Sequence, residues 1–182
     1  MSAMFRRARK GGIAVTFGAD EHEVLRQVLA QMLELLGEPE GASAGAGDDP
    51  LARALGIGTS TEAPTDPALA RLFPDGYPDD PEASADFRRY TETGLRETKR
   101  AALLVAQETL GEAPHRLLLD HDQAQAWLRA LNDTRLVLGS RLGVTEDLEA
   151  LLDSLGDDDP RLGLLWVYDR LTYLQESLVQ AL

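Results

Sequence analysis

Asn132, Asp133 and Arg135 stand inside the block Trp127–Leu142, WLRALNDTRLVLGSRL, where polar side chains interrupt an otherwise apolar helical face. At helical spacing Leu128, Asn132, Arg135, Gly139 and Leu142 follow one another at steps of four and three, so an amide and a guanidinium share the stripe that should pack. Such groups cost about 1 to 3 kcal/mol each when buried without partners, so the spacing demands specific hydrogen-bonding counterparts. Two arrangements meet that demand. In one, the block is a structural network locking its helix against its neighbours. In the other, Asn132, Asp133, Arg135 and Arg141, with Trp127 beside them, line a recess for a small molecule, a reaction or a protein partner. Gly139 adds its own constraint: a mid-helix glycine costs about 1 kcal/mol relative to alanine and suits close approach of another backbone.

The remaining groups with reactive chemistry are isolated. His22 lies between Glu21 and Glu23, while His115 and His121 flank a leucine-rich stretch, and none has a partner at the spacing of a helical zinc site. His121, between Asp120 and Asp122, is a lone imidazole with neither a nucleophile nor oxyanion donors to serve, and reads as a surface residue near a helix cap. Ser140 in LGSRLG lacks the spacing and the preceding strand of a nucleophile elbow. The glycines of GASAGAG and GIG have no strand leading in, so a phosphate-cradling loop is not indicated. The acids at Asp48-Asp49, Asp79-Asp80 and Asp157 to Asp159 lack the alternate spacing and turn glycine of a calcium loop. With no cysteine, no disulfide, thiolate nucleophile or thiol switch arises from these residues. No enzyme, metal or cofactor is nominated.

A chain of 182 residues with 43% hydrophobic side chains can bury one core, so residues 1–182 are read as a single domain. No apolar run approaches the roughly 18 residues of a membrane span, and the basic start lacks the apolar stretch of a secretion signal, which predicts a cytoplasmic protein. The net charge is -13, yet Arg6, Arg7, Arg9 and Lys10 sit together with no acid among the first twelve residues. An acidic surface repels a phosphate backbone and favours a basic protein partner, so DNA contact is confined to those four residues. They also suit the edge of a hairpin, where positive charge discourages strand addition.

The elements that must position these groups are mostly helical. Ile13, Val15 and Phe17 alternate with Ala14 and Thr16, and Gly11-Gly12 supplies a turn, predicting a β-hairpin over 4–17. Asp20 with Glu23 resembles a capping box, and Leu25, Val28, Met32 and Leu35 recur at helical spacing up to Gly37. Residues 38–65, rich in Gly, Ala, Pro and acid, read as a long flexible loop. Asp49-Pro50, Asp66-Pro67, Asp80-Pro81 and Asp159-Pro160 each place an N-cap acceptor before a proline at the first helical position.

The longest helix is predicted from Asp80 to about Leu110, with Phe87, Gly94, Thr98, Ala101 and Val105 along one closely approached side. Its Arg88, Arg89, Arg96, Lys99 and Arg100, interleaved with Asp86, Glu92 and Glu97, read as a solvated, internally paired surface. Asp120 caps the helix that carries the opening block. Thr145 caps a short helix with Leu148, Leu151, Leu152 and Leu155 before Gly156. In the last helix, Pro160 to Leu182, the series Leu164, Val167, Leu171, Leu174 and Leu178 is either buried centrally or a homodimer seam. The fold class is mainly α: a single-domain helical bundle with a short N-terminal β-hairpin and a long flexible loop.

Leu72-Phe73-Pro74 with Tyr77, Asp79-Asp80-Pro81, the WLRALNDTRLVLGSRL block and the closing TYLQESLVQAL together resemble an actinobacterial domain-of-unknown-function family that includes the oxidative-stress transcriptional regulator AosR. The resemblance covers nearly the whole chain apart from 38–65, and its motifs are specific in their combination and order. It implies a cytoplasmic helical protein that regulates transcription by binding a protein partner. For the family's named member, that partner is a stress sigma factor, bound after a cysteine pair is oxidised. The cysteine switch does not carry over to a chain without cysteine. Met1, Met4 and Met32 are oxidisable in principle, but Met32 sits on a packing face.

Overall fold

The computed structural model describes residues 3–9, 11–37, 62–144, 155–156 and 158–182. The predicted helix start at Asp49-Pro50, the short helix after Thr145, residue Lys10 and most of the loop over 38–65 lie outside them.

Five helices and three strands are present among the described residues. Strands β1 (Arg6–Arg7) and β2 (Ile13–Thr16) form the expected hairpin. Its turn depends on glycine: Gly11 and Gly12 have φ of 90° and 78°, and a Cβ at Gly12 would sit 2.6 Å from the Leu119 carbonyl oxygen. A third strand, β3 (Arg116–Leu119), joins antiparallel to β2 with Ile13 opposite Leu119 and Val15 opposite Leu117. Sequence reading left RLLL as a leucine-rich stretch. Its alternation is visible only against β2, where Leu117 and Leu119 turn inward and Leu118 outward.

Helix α1 (Ala19–Leu36) begins at Gly18 rather than at a capping box. Asp20 lies within the first turn, and Glu23 accepts hydrogen bonds from Arg26 and Gln27 instead of reaching back. Its buried stripe is Leu25, Leu29, Met32 and Leu36, one position round from the predicted Val28 and Leu35, which are half-buried. The Asp-Pro signals act as expected in α2 (Pro67–Leu72) and α3 (Pro81–Leu110): Asp66 accepts from the Ala68 amide at 2.8 Å, and Asp80 from the Ala83 amide at 3.0 Å. Helix α4 (His121–Leu142) opens on a capping box, with Asp120 and Gln123 bonded reciprocally, and ends on Gly143 in the left-handed region. Helix α5 (Arg161–Ala181) starts one residue after Pro160, with Asp159 accepting from the Arg161 amide at 2.8 Å.

Helix α4 is the central element, packing on α2, α3 and α5 and touching α1 and β3. Trp127 is fully buried where the sheet meets it: the Phe17 ring stacks on the indole at 5.8 Å and the Phe5 ring meets it edge-on at 5.8 Å. Leu103 and Leu110 of α3 and Leu171, Leu174 and Leu178 of α5 complete the core. The leucine series of α5 is therefore not a free seam. Leu171, Leu174 and Leu178 are buried inside this chain, Val167 is half-buried, and of the five only Leu164 is well exposed.

The side of α3 expected to be closely approached instead faces solvent. Phe87, Gly94, Thr98 and Ala101 are exposed, and a Cβ at Gly94 would meet nothing. The inward side holds Arg88 and Glu92 in its first half and Leu103, Ala106 and Leu110 in its second. The partners of α3 reach it on the side of Arg88, Glu92, Leu103, Ala106 and Leu110 instead.

Candidate functional site

The residues of the WLRALNDTRLVLGSRL block point in several directions and do not converge. Trp127 faces the sheet, and its indole N–H donates to Thr109 Oγ1 at 2.8 Å. Asn132 and Arg135 face α5, where Gln175 joins them: the Arg135 guanidinium donates to its Oε1 at 3.2 Å, and its amide nitrogen donates to Asn132 Oδ1 at 3.5 Å. Asp133 faces α3 and accepts from the Lys99 ammonium at 2.9 Å, with both side chains largely withdrawn from solvent. Arg141 is exposed and lies 3.8 Å from Asp66, a separation at which an exposed pair contributes little. Gly139 is close to an aromatic ring rather than to another backbone, since a Cβ there would lie 3.2 Å from Cε2 of Tyr168. The glycine lets the Tyr168 ring approach α4 closely, with the Arg135 guanidinium 5.9 Å from its ring centre.

A denser polar constellation lies on α3, where sequence reading expected a solvated, internally paired surface: the pairing within the helix is present, with Arg88 and Arg96 both meeting Glu92, but it is withdrawn from solvent. Arg88 and Glu92 are buried. Arg88 donates to Asp75 at 2.6 Å, to Glu92 at 3.1 Å and to the Phe73 carbonyl at 3.2 Å. Arg96 pairs with Glu92 at 2.7 Å, covers the Phe73 ring at 4.6 Å and donates to the Leu36 carbonyl at 2.6 Å. Arg100 donates to the Leu33 carbonyl at 3.2 Å and to that of Gly37. The cause is electrostatic. Helix α1 has no basic residue in its last turn, so its unpaired carbonyls and negative dipole end are satisfied by guanidinium groups from α3.

The N-terminal bases show the same device. Helix α5 also lacks a base in its last turn, and Arg7 donates to the carbonyls of Ala181 at 3.0 Å and Leu182 at 2.8 Å. Arg6 donates to the Met4 sulfur at 3.1 Å and Arg9 is exposed, while Lys10 lies outside the described residues. His22, in the first turn of α1, is buried with Nε2 at 3.1 Å from the Leu110 carbonyl. Its flanking glutamates concealed that. Helical phase did not: His22 is three residues before Leu25 on the inward stripe. His121 is exposed, and His115 Nδ1 lies 3.0 Å from its local Ala113 carbonyl. Among the described residues, no buried side-chain nitrogen or oxygen lacks a hydrogen-bond partner.

Open space lies elsewhere. A cleft of about 480 Å³ separates the start of α1 from one face of α5, lined by Gly18, Asp20, Glu21, Trp166, Asp169 and Tyr173 among others. Trp166, on its wall, is 55% exposed.

The architecture is a mainly α domain whose polar interior is internally satisfied, and the chain belongs to the family described as Domain of unknown function (DUF2017), whose model matches residues 1–182. A Mycobacterium leprae protein named "Putative oxidative stress regulator AosR" is 34% identical over 177 residues, covering 88% of this chain and 79% of its own. Proteins of Mycobacterium bovis and Mycobacterium tuberculosis named "Oxidative stress regulator AosR" are each 32% identical over 176 residues, covering 89% of this chain and 78% of their own. No solved structure matches the chain. Among the described residues, no helix is long and apolar enough to cross a membrane.

Proposed function

We propose that this protein is a non-enzymatic cytoplasmic regulator, acting in the response to oxidative stress by binding a protein of the transcription machinery. A stress sigma factor is the partner class that the family resemblance implies. The observation that carries this reading is the fate of the polar groups. Arg88, Glu92 and Arg96 are engaged in ion pairs within α3 and with the loop before it, Lys99–Asp133 and Arg135–Gln175 join helices, and none of these residues lines the open cleft. The polar block is thus a lock, and the surface carries the function. The relatives named as oxidative stress regulators support the same direction.

Without a cysteine among its 182 residues, the chain cannot gate such binding by its own disulfide. Either the partner senses the oxidant or binding is constitutive. Affinity purification of the tagged chain from its native host, with and without peroxide, tests the reading. Recovery of a sigma factor or RNA polymerase subunit is expected in at least one condition, and its absence from both opposes the proposal.

A further inference from the structure

The cleft between α1 and α5 has a chemistry that the regulatory reading leaves unspecified. Trp166, Asp169, Arg170 and Tyr173 lie at steps of three, one and three on α5, so all four face the first turn of α1. The cleft has three carboxylates, Asp20, Glu21 and Asp169, against one guanidinium, Arg170. That guanidinium is already engaged: it bonds Glu21 and the Ala3 carbonyl and lies 4.8 Å from the Tyr173 ring centre. Asp20 and Asp169 are exposed and bond no described residue. The Trp166 face is open beside them.

One half of the cleft is therefore an occupied example of cation–aromatic–carboxylate recognition, and the other half has the same parts without the cation. The uncapped start of α1 contributes roughly half a positive charge, which the adjacent carboxylates exceed. An apolar depression of about 10 Å³, room for about one water, continues from Trp166 between the helices, lined by Val24, Val28 and Val167.

We propose that this cleft docks a basic segment of a partner protein, placing an arginine on Trp166 between Asp20 and Asp169. The occupant follows from charge complementarity: an acidic chain presents two unpaired carboxylates around an exposed indole, which attracts a guanidinium and repels an anion. The proposal rests on the partner-binding reading and specifies its surface.

The test uses the full chain and a synthetic arginine-containing peptide, together with a twin in which citrulline replaces each arginine. The indole N–H resonance of Trp166 reports binding, and that of buried Trp127 is the internal reference. The arginine peptide is expected to shift Trp166 saturably and not Trp127, the citrulline twin to bind at least several-fold more weakly, and added salt to weaken binding. Trp166→Ala, and separately the isosteric pair Asp20→Asn/Asp169→Asn, should each lower affinity roughly tenfold with the melting temperature retained. Equal binding by the twin, unchanged affinity in both variants, or a silent Trp166 resonance would overturn the proposal, as would a dimer in solution that buries Trp166. Host purification separates the two readings. If the Asn pair still recovers the transcription component, the cleft falls and the regulator stands. If peptide binds at Trp166 but the native chain recovers no such component, the regulator falls and the cleft stands.

Discussion

The ammonium of Lys99 and the carboxylate of Asp133 meet at 2.9 Å across the α3–α4 interface, both largely out of solvent. This contact converts what reads as surface charge on α3 into an interhelical tie. Asp133→Ala leaves an ammonium without its counter-ion and should lower stability by about 2 to 3 kcal/mol, below the fully buried case because Lys99 can partly rehydrate. The double replacement Lys99→Met/Asp133→Leu should recover most of that loss. Urea denaturation with unchanged m measures both, and an Asp133→Ala effect under about 0.5 kcal/mol would show the tie to be idle.

The hairpin glycines separate backbone strain from steric overlap. Both have positive φ, but a Cβ at Gly11 meets open space whereas one at Gly12 meets the Leu119 carbonyl oxygen at 2.6 Å. Gly11→Ala should cost about 1 kcal/mol through φ alone, and Gly12→Ala clearly more, because a β2–β3 pairing must shift. Equal melting temperatures for the two variants would contradict this geometry.

Two aspartates that look alike in sequence differ in role. Asp120 caps α4 through a reciprocal box with Gln123, so Asp120→Ala should cost about 1 to 2 kcal/mol. Asp20 only complements the dipole of α1, and Asp20→Ala should cost a few tenths of a kcal/mol. Thermal unfolding of the two variants gives the comparison directly.

Arg7 closes the end of α5. Arg7→Ala should raise amide exchange in the last turn of α5, corresponding to a local loss of about 1 kcal/mol, while Arg9→Ala leaves those amides unchanged. Hydrogen exchange read by mass spectrometry on the C-terminal peptide distinguishes them.

Acid titration has a defined sign at Asp159. Hydrogen bonds from the Arg161 side chain and amide hold its carboxyl below the usual carboxylate range, and Arg26 and Gln27 do the same for Glu23. A carboxyl depressed on folding stabilises the native state above its unfolded value, and that contribution is lost as pH falls through the folded value. Carbon-13 titration should place both midpoints below the ordinary ones, and Arg161→Ala should return Asp159 toward it.

The helices of this protein were legible because their punctuation is local. Asp66-Pro67 and Asp80-Pro81 satisfy orphan amides within one turn, and Gly11-Gly12 adopt a φ that few other residues tolerate, so no distant neighbour is needed to place them. The leucines of α5 were equally legible as an apolar series, but not what would cover them. The third strand was hidden because four residues carry too little alternation until β2 supplies a register.

By itself, the sequence determined a mainly α chain, its helix starts, its hairpin turn and its family, all set by short-range sterics, capping and the order of motifs. Tertiary structure alone decided what the charges do. Whether Arg96 and Arg100 meet water or the carbonyl end of α1 depends on residues some sixty positions away, and only packing brings them within hydrogen-bonding range. The same packing set Trp166 and Asp169 of α5 beside Asp20 of α1, because a cleft belongs to two elements and one helix's periodicity cannot place the other.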